Sequence, residues 1–378
     1  MYGLPNTRLL AGVCILALLL GGCATPPQTR ALPDVLPAGL PARVELHDTP
    51  FHPQERYQCG PAALATVLGA NGVEVAPAEL VDAVYVPALR GSLPEELAAT
   101  ARRHGMLAYP LRPSLADLLE ETAHGNPVLV FQNLGTGWLP RWHFAVVVGY
   151  DLPAGEVILR SGTTERWQTT LGNFERTWSR GDHWALVVLP PGRIPASARP
   201  GPYLQAAHAL EGAGQAVAAR EAWRAATRHW PDEPRAHLAL GNSRYAAADY
   251  PGAASAFLAA VRLDPANPQA WNNMAYALLQ TACPQLALAA AACAARLAAD
   301  NANYRNTLAE VSKLASGADG AHCPALDCPA VAPWAMSPQN ITLCLRHADR
   351  LDIGRRARRK APARPARRPW VWAGEARW

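Results

Sequence analysis

The chain has 378 residues, of which 50% are hydrophobic and 17% charged, and its formal net charge is +5. This length is too great for one ordinary hydrophobic core and predicts two folded domains with a linker and tails. The composition excludes a wholly disordered chain and a protein with many membrane spans. Much of the positive charge lies between Arg355 and Arg368, in a tail (315–378) that lacks periodicity and is predicted to be disordered. The net charge of the chain without this tail is near zero or slightly negative, which argues against a nucleic-acid-binding surface on the folded domains.

The first 22 residues are typical of a bacterial export signal. Arg8 supplies a positive charge, residues 9–20 form an apolar stretch too short to span a membrane comfortably, and two glycines precede Cys23. The segment Leu-Gly-Gly-Cys resembles a lipobox, which implies cleavage before Cys23 and attachment of lipid to it. The alternative is an ordinary secretory signal with a chance cysteine. Because Ala24 rather than aspartate follows, the resemblance to enteric lipoproteins implies an outer-membrane anchor facing the periplasm, with residues 23–46 as a tether.

Residues 47–191 combine helical patterns with a later run of strand patterns. Apolar periodicity with proline or glycine boundaries predicts helices at 61–70, 77–84, 93–104 and 115–124. Runs rich in β-branched and aromatic residues then predict antiparallel strands at 128–131, 143–150, 157–159 and 184–189. Helices followed by a sheet predict an α+β domain.

A Pro/Gly/Arg-rich linker at 192–202 precedes an all-α domain predicted over 203–314. Within that domain, 235–268 aligns with 269–302 at an offset of 34 residues. The first copy resembles the tetratricopeptide repeat at Leu240-Gly241, Asp249-Tyr250, Ala253, Phe257, Ala260 and Asp264-Pro265. This resemblance implies a solenoid that binds a protein partner through 203–302. A plain alanine-rich helical bundle is the alternative.

Cys59 stands at the start of a predicted buried helix, just before Gly60 and Pro61. Free N–H groups and the positive end of the helix dipole stabilise an anion there, so we expect the thiol pKa to fall. A thiolate nucleophile needs a partner that accepts and returns a proton near neutral pH, and histidine suits this role. His143 opens the strand His-Phe-Ala-Val-Val-Val-Gly-Tyr-Asp. Taken singly, such a cysteine or histidine is more often a structural core residue.

The glutamine-containing segment that leads into Cys-Gly-Pro-Ala-Ala, together with the His143 strand, resembles the papain-fold peptidases that process bacteriocins after double-glycine leaders. The resemblance covers residues 47–191. It implies that Cys59 attacks the scissile carbonyl, that His143 shuttles the proton, and that a glutamine upstream of the cysteine holds the oxyanion. Gln54 is the candidate for that glutamine, although it stands five residues before the cysteine where six is usual, and Gln58 is its competitor.

The resemblance fails at the third catalytic member. The related enzymes place an aspartate on the strand after the histidine strand, and here Ser161 occupies that position. A serine can accept a hydrogen bond from the imidazole N–H, but it supplies no charge to stabilise the imidazolium. Asp151 and Asp182 are alternative acceptors, and Asp151 is more simply read as a turn residue.

The eight cysteines are not interpreted as a disulfide framework. Cys59 is assigned to catalysis and Cys23 to lipid, and a pairing of Cys323 with Cys328 stays open. With one neighbouring histidine, that pair falls short of a zinc site, so we expect neither metal nor cofactor.

These features predict an envelope-anchored cysteine peptidase that cleaves a peptide bond through a thioester on Cys59, with a peptide or protein substrate. A second hypothesis is a degenerate domain that binds peptides without cutting them, and the serine at position 161 favours it modestly. A third is an envelope assembly scaffold whose function lies wholly in the repeats.

Overall fold

The computed structural model describes residues 25–54, 58–281 and 283–315. The predicted export signal, the predicted lipidation site Cys23 and the basic tail from residue 316 lie outside these ranges. None of the described helices combines the length and apolarity needed to cross a membrane. The chain divides into two compact units, residues 1–236 and 237–378.

The first unit contains helices and an antiparallel sheet. Its helices are α1 (Pro27–Val35), α2 (Cys59–Gly69), α3 (Pro77–Val84), α4 (Pro94–Arg103), α5 (Leu115–Ala123), α6 (Leu171–Ser179), α7 (Pro200–Gly212) and α8 (Ala216–His229). Its strands are β1 (Arg43–Glu45), β2 (Tyr85–Val86), β3 (Gly91–Ser92), β4 (Leu107–Pro110), β5 (Val128–Asn133), β6 (Trp142–Asp151), β7 (Glu156–Ser161), β8 (Thr164–Thr170) and β9 (Ala185–Leu189). The predicted α+β class is confirmed, and the predicted helices correspond to α2 through α5.

The main sheet has the strand order β4-β9-β5-β6-β7-β8, and β1 also pairs with β6. Strand β6 is buried on both faces from Phe144 to Tyr150, as its unbroken apolar run requires. Its register with β7 shifts between Val147 and Gly149. At Gly149 the β1 backbone is so close that a Cβ would lie 2.4 Å from the Val44 carbonyl oxygen. Only glycine fits where β1 meets β6.

Helix α2 is the buried centre of the first unit. Every residue from Gly60 to Leu68 is buried, because the helix is apolar on all sides. Pro61 lies in the first turn, where its missing N–H removes no intrahelical hydrogen bond. Leu64, Val67 and Leu68 of this helix share one core with Phe144, Val146 and Val148 of β6. Burying each such side chain contributes roughly 1.5–3 kcal/mol, so this packing fixes the N-terminus of α2 against the sheet.

The segment predicted as a tether (23–46) is instead folded onto the domain from α1 onward. The backbone N–H groups of Gln28 and Thr29 donate to the Glu175 carboxylate at 2.9 and 2.6 Å, and the Thr29 hydroxyl donates to the same group. Glu175 is 2% exposed. A carboxylate at a helix N-terminus satisfies unpaired N–H groups and interacts favourably with the helix dipole. Glu175 therefore caps α1 and holds it on α6.

The predicted linker (192–202) is an ordered part of the first unit. The buried carboxylate of Glu121 accepts hydrogen bonds from the N–H groups of Ala196 and Ser197 and from the Ser197 hydroxyl. Tyr203, near the start of α7, is fully buried. The division between the units therefore follows residue 236, because α7 and α8 belong to the compact unit that contains the sheet.

The second unit is built from helices of the tetratricopeptide pattern. They are α9 (Pro234–Ala246), whose first three residues precede the division, α10 (Tyr250–Leu263), α11 (Pro268–Leu279), α12 (Pro284–Leu297) and α13 (Ala302–Ala315). A Cβ on Gly241 would lie 2.4 Å from the ring of Phe257, so α9 and α10 pack closely only because position 241 is glycine. Asp249 and Asn267 cap α10 and α11 through hydrogen bonds to backbone N–H groups.

Some elements lack the sequence signals that predict the others. Strand β8 is exposed along nearly all of its length and shows no apolar alternation, and α6 follows it directly. Cys283 is disulfide-bonded, contrary to the expectation that the cysteines form no disulfides beyond the Cys323–Cys328 pair left open. The latter pair lies outside the described residues.

Candidate active site

Cys59 is half-buried at the N-terminus of α2. Backbone hydrogen bonding from Gly60 and from Phe144 of β6 reaches its sulfur. Gly60 packs against Ser92 of β3 so closely that a Cβ at position 60 would lie 2.2 Å from the Ser92 hydroxyl oxygen. The Ser92 hydroxyl is buried and has no hydrogen-bond partner among the described residues. The glycine after the cysteine therefore allows the helix N-terminus to approach β3.

His143 is the second residue of β6, and Ser161, the last residue of β7, holds its ring. The imidazole Nε2 lies 2.9 Å from the Ser161 hydroxyl oxygen. The other ring nitrogen, Nδ1, has no hydrogen-bond partner among the described residues, so it is available for proton exchange with a thiol. With Nε2 carrying the proton, the ring donates to Ser161 and presents an acceptor at Nδ1.

Gln54 links the strands that carry His143 and Ser161. Its backbone N–H donates to the carbonyl of Gly162 at 3.0 Å, and Gly162 follows Ser161 directly. Its side-chain Nε2 donates to the carbonyl of Phe144 at 3.4 Å, and Phe144 follows His143. The Phe144 backbone thus contacts both Gln54 and Cys59. The Gln54 amide has a second N–H, which could bind an oxyanion.

Gln58, the other candidate for the oxyanion donor, occupies the N-cap position of α2. Its side chain makes no capping hydrogen bond there. The described contacts bring Gln54, and not the Gln58 amide, to the backbone beside His143 and Cys59.

Comparison with known protein families gives two matches. A family model described as "Peptidase_C39 like family" matches residues 46–183, the part of the chain that carries Cys59, His143 and Ser161. The chain carries a C39-like peptidase domain. A second family model, described as a tetratricopeptide repeat, matches residues 204–268 and 238–304, so the repeats follow the C39-like domain.

Two solved structures are similar to the C39-like part of the chain. A protein described as a C39-like peptidase from Bacillus anthracis is 19% identical, covers 39% of this chain and 97% of its own, and has a TM-score of 0.32. The peptidase domain of Streptococcus ComA, described as a bifunctional ABC transporter involved in a quorum-sensing pathway, is 17% identical. It covers 38% of this chain and 98% of its own, with a TM-score of 0.32. No curated protein matches the chain.

Neither aspartate considered as a replacement for Ser161 acts on His143 in the C39-like domain. Asp151 lies at the opposite end of β6, about 26 Å along a strand of this rise, and pairs with Arg43 at 2.7 Å. Asp182 is exposed in the turn after α6 and is not among the charges that shift the pKa of His143. Among the described residues, the hydrogen-bond partner of the His143 imidazole is therefore the uncharged Ser161 hydroxyl.

The electrostatics of the C39-like site disfavour a thiolate–imidazolium pair at rest. Burial raises the pKa of the Cys59 thiol above its ordinary value of 9.0, and backbone hydrogen bonding from Phe144 and Gly60 offsets only part of this. Burial, with a further contribution from the positive charge of Arg141, lowers the pKa of His143 to about 4. The sequence predicted a lowered thiol pKa from the helix N-terminus, and that prediction fails because burial outweighs the local N–H groups.

The two pKa shifts oppose activation of the site. Burial raises the pKa of the Cys59 thiol and lowers that of His143 to about 4, so moving the thiol proton to the imidazole costs free energy. The resting site therefore holds a neutral thiol and a neutral imidazole near pH 7.

Aromatic rings lie next to the start of β6, which carries His143. Trp142, about half exposed, stacks on Phe131 with ring centroids 5.1 Å apart, and Phe131 contacts Phe144 at 4.6 Å. Trp138, in the loop before this strand, is 84% exposed, whereas Trp178 of α6 is fully buried.

No metal-binding arrangement is found in the part of the chain that the structure describes. There, no group of three or more His, Cys, Asp and Glu side chains is arranged to hold a metal ion.

Proposed function

We propose that this protein is a cysteine peptidase of the bacterial cell envelope, with Cys59 as nucleophile and His143 as proton carrier. The observation that carries the proposal is the arrangement around Phe144. Its backbone hydrogen-bonds to Cys59, its carbonyl accepts from Gln54, and its neighbour His143 is held by Ser161. The match of this region to a C39-like family model supports the same reaction class.

In the acylation step, the Cys59 thiol proton moves to Nδ1 of His143 as the sulfur attacks the scissile carbonyl carbon. A carbon–sulfur bond forms, and the carbonyl π electrons move to oxygen, which Gln54 stabilises through its second Nε2 N–H. The tetrahedral intermediate collapses, the peptide carbon–nitrogen bond breaks, and the imidazolium gives its proton to the leaving amine. The product of this step is a thioester on Cys59.

In the deacylation step, His143 removes a proton from water as the water oxygen attacks the thioester carbon. The carbon–sulfur bond breaks, the proton returns to sulfur, and the new carboxylic acid leaves. Ser161 keeps the ring oriented through both steps by accepting from Nε2. Because it carries no charge, the imidazolium in each transition state lacks the electrostatic stabilisation that an aspartate would give.

The anchoring and the repeats complete the proposal. Lipid on Cys23 would hold the chain on the periplasmic face of the outer membrane, as the Leu-Gly-Gly-Cys segment suggests. The repeat unit would bind a protein partner or substrate. The Asn273 amide of α11 donates to the Asn242 side-chain oxygen of α9 at 2.8 Å, and the Tyr276 hydroxyl of α11 donates to Glu310 of α13. Polar groups therefore follow one another on alternate helices. Such groups suit hydrogen bonding to a bound chain.

A second function, a peptide-binding domain that does not cleave, is favoured by the electrostatics. The raised thiol pKa, the lowered pKa of His143 and the neutral Ser161 all oppose formation of the reactive ion pair. The two functions share the site around Cys59 and differ in whether bound peptide is cleaved.

The experiment that separates them is cleavage of a peptide library by the full purified chain. New N-termini are identified by mass spectrometry for wild type, Cys59→Ala and His143→Gln, with Cys293→Ala as the matched control because it alters a buried cysteine of the other unit. A peptidase gives a recurring cleavage motif that is lost in the first two variants and kept in the control. Bound but intact peptides with wild type, or cleavage that persists in Cys59→Ala, would exclude the peptidase.

A further inference from the structure

The loop between β5 and β6 (residues 134–141, the tip loop) presents two large apolar side chains to solvent. Trp138 is 84% exposed and Leu139 is 65% exposed. Of the large hydrophobic side chains in the described residues, Trp138 is the most exposed. Adjacent apolar side chains displayed in this way mark an interaction surface more often than isolated ones do.

Specific contacts fix the conformation of the tip loop. The side-chain oxygen of Asn133 accepts from the N–H groups of Gly135 at 2.9 Å and of Arg141 at 2.8 Å. At the apex, the Thr136 N–H donates to the Leu139 carbonyl and the Leu139 N–H donates to the Thr136 hydroxyl, both at 3.1 Å. A Cβ on Gly135 would lie 2.2 Å from the Leu139 carbonyl oxygen. The backbone closes so tightly that the apolar pair is held outward and cannot fold back onto the core.

The chain enters the first unit close to the root of the tip loop. Thr25, the first described residue, lines the same surface depression as Ser179 at the end of α6. The next residue, Arg180, donates to the Asn133 carbonyl at 3.1 and 2.9 Å through its guanidinium. The end of α6 therefore lies beside both the entering chain and the tip loop. Two residue steps separate Thr25 from Cys23, which is at most about 7 Å of chain.

We propose that the tip loop is a membrane-contact site, with Trp138 and Leu139 inserted into the headgroup region of the bilayer that holds the lipid on Cys23. The proposal rests on the lipid anchor in the proposed function. A protruding apex suits a flat lipid surface, and tryptophan favours the membrane–water interface. Exposed Arg141, whose guanidinium has no ion pair among the described residues, supplies a positive charge for lipid phosphate. The short distance along the chain from Thr25 to Cys23 keeps the loop within reach of the bilayer.

The test is fluorescence quenching by brominated lipid. The lipidated full chain is reconstituted into phosphatidylethanolamine–phosphatidylglycerol vesicles with and without brominated acyl chains, as wild type, Trp138→Phe and Trp167→Phe. Trp167, on β8 and 48% exposed, is the matched control. We expect the emission assigned to Trp138, taken as wild type minus Trp138→Phe, to lose most of its intensity in brominated vesicles. The Trp167→Phe protein should be quenched as wild type is.

Equal intensity of the Trp138 emission in brominated and plain vesicles would overturn the proposal. A change in the Trp138 emission only on addition of an apolar peptide would also overturn it, because the tip loop would then bind a protein. Mass spectrometry of the N-terminal peptide reports the lipid on Cys23 separately. If Cys23 carries lipid and the Trp138 emission is unquenched, the membrane contact of the tip loop is refuted and the lipid anchor stands. If Cys23 is unmodified and the Trp138 emission is still quenched with vesicles in excess, the anchor fails and the membrane contact stands.

Discussion

Replacing Ser161 with aspartate tests whether the missing charge limits the site. The Ser161 hydroxyl oxygen lies 2.9 Å from Nε2 of His143, so a carboxylate at this position falls within ion-pairing distance of the ring. An opposite charge this close raises the pKa of a histidine by about 1–3 units, which corresponds to about 1.4–4 kcal/mol in favour of the imidazolium. The change partly reverses the lowering to about 4 that burial and Arg141 cause.

The expected consequence is a faster reaction of Cys59. A rise of 1–3 units in the histidine pKa increases the population of thiolate–imidazolium pairs at pH 7 by about tenfold to a thousandfold. The alkylation rate rises by a smaller factor, because thiolate that forms while His143 is neutral also reacts. The rate is measured on the full chain with iodoacetamide, and the labelled Cys59 peptide is quantified by mass spectrometry. Ser161→Asn is the matched control, because it has the shape of aspartate without its charge.

The reasoning is refuted if Ser161→Asp reacts no faster than wild type, or if Ser161→Asn accelerates the reaction equally. The first outcome means that the histidine does not accept the thiol proton. The second means that side-chain size at position 161, and not charge, controls the site.

Three further predictions concern stability. Because the pKa of His143 is lowered to about 4 from 6.5, the unfolded chain binds more protons than the folded one below pH 6.5. Unfolding free energy should therefore fall by about 2–3 kcal/mol between pH 8 and pH 4.5 through this group alone, and denaturant titrations of His143→Gln should lack that part of the loss. Glu175→Gln should leave a backbone N–H of α1 without its acceptor, at a cost of about 1–3 kcal/mol. Hydrogen exchange of residues 27–35 should then be faster, and unchanged exchange would contradict the capping role of Glu175. Gly241→Ala should destabilise the second unit by about 1–3 kcal/mol through a clash with Phe257. Gly212→Ala, at the end of α7 in the first unit and with open space around it, should not destabilise the first unit.

The parts of the fold that the sequence predicted are those with local signals. The small apolar run after Cys59 could only form a helix buried on all sides, and the unbroken run after His143 could only form a strand buried on both faces. The contact between His143 and Ser161 followed from family resemblance, because no local pattern places a serine beside an imidazole 18 residues away in the chain.

The parts that sequence reasoning missed depend on distant partners. Helix α1 is capped by Glu175, 146 residues beyond Thr29, so residues 23–46 resembled a free tether when considered alone. Strand β8 has few apolar residues, because it lies at the edge of the sheet and is exposed along most of its length. The direction of the thiol pKa was wrong for the same reason. The helix N-terminus is a local feature, whereas the burial that outweighs it comes from packing against the sheet.

Arg141 connects the tip loop to β6, the strand that carries His143. Its backbone is held by Asn133 at the root of the loop, and its positive charge contributes to the low pKa of His143, two residues further on. If the tip loop contacts a bilayer, lipid phosphate beside Arg141 reduces the net positive charge near the imidazole. The imidazolium then costs less free energy than in the protein free in solution. A neutral resting pair without an aspartate is therefore compatible with catalysis, provided that the missing negative charge is supplied where the protein works.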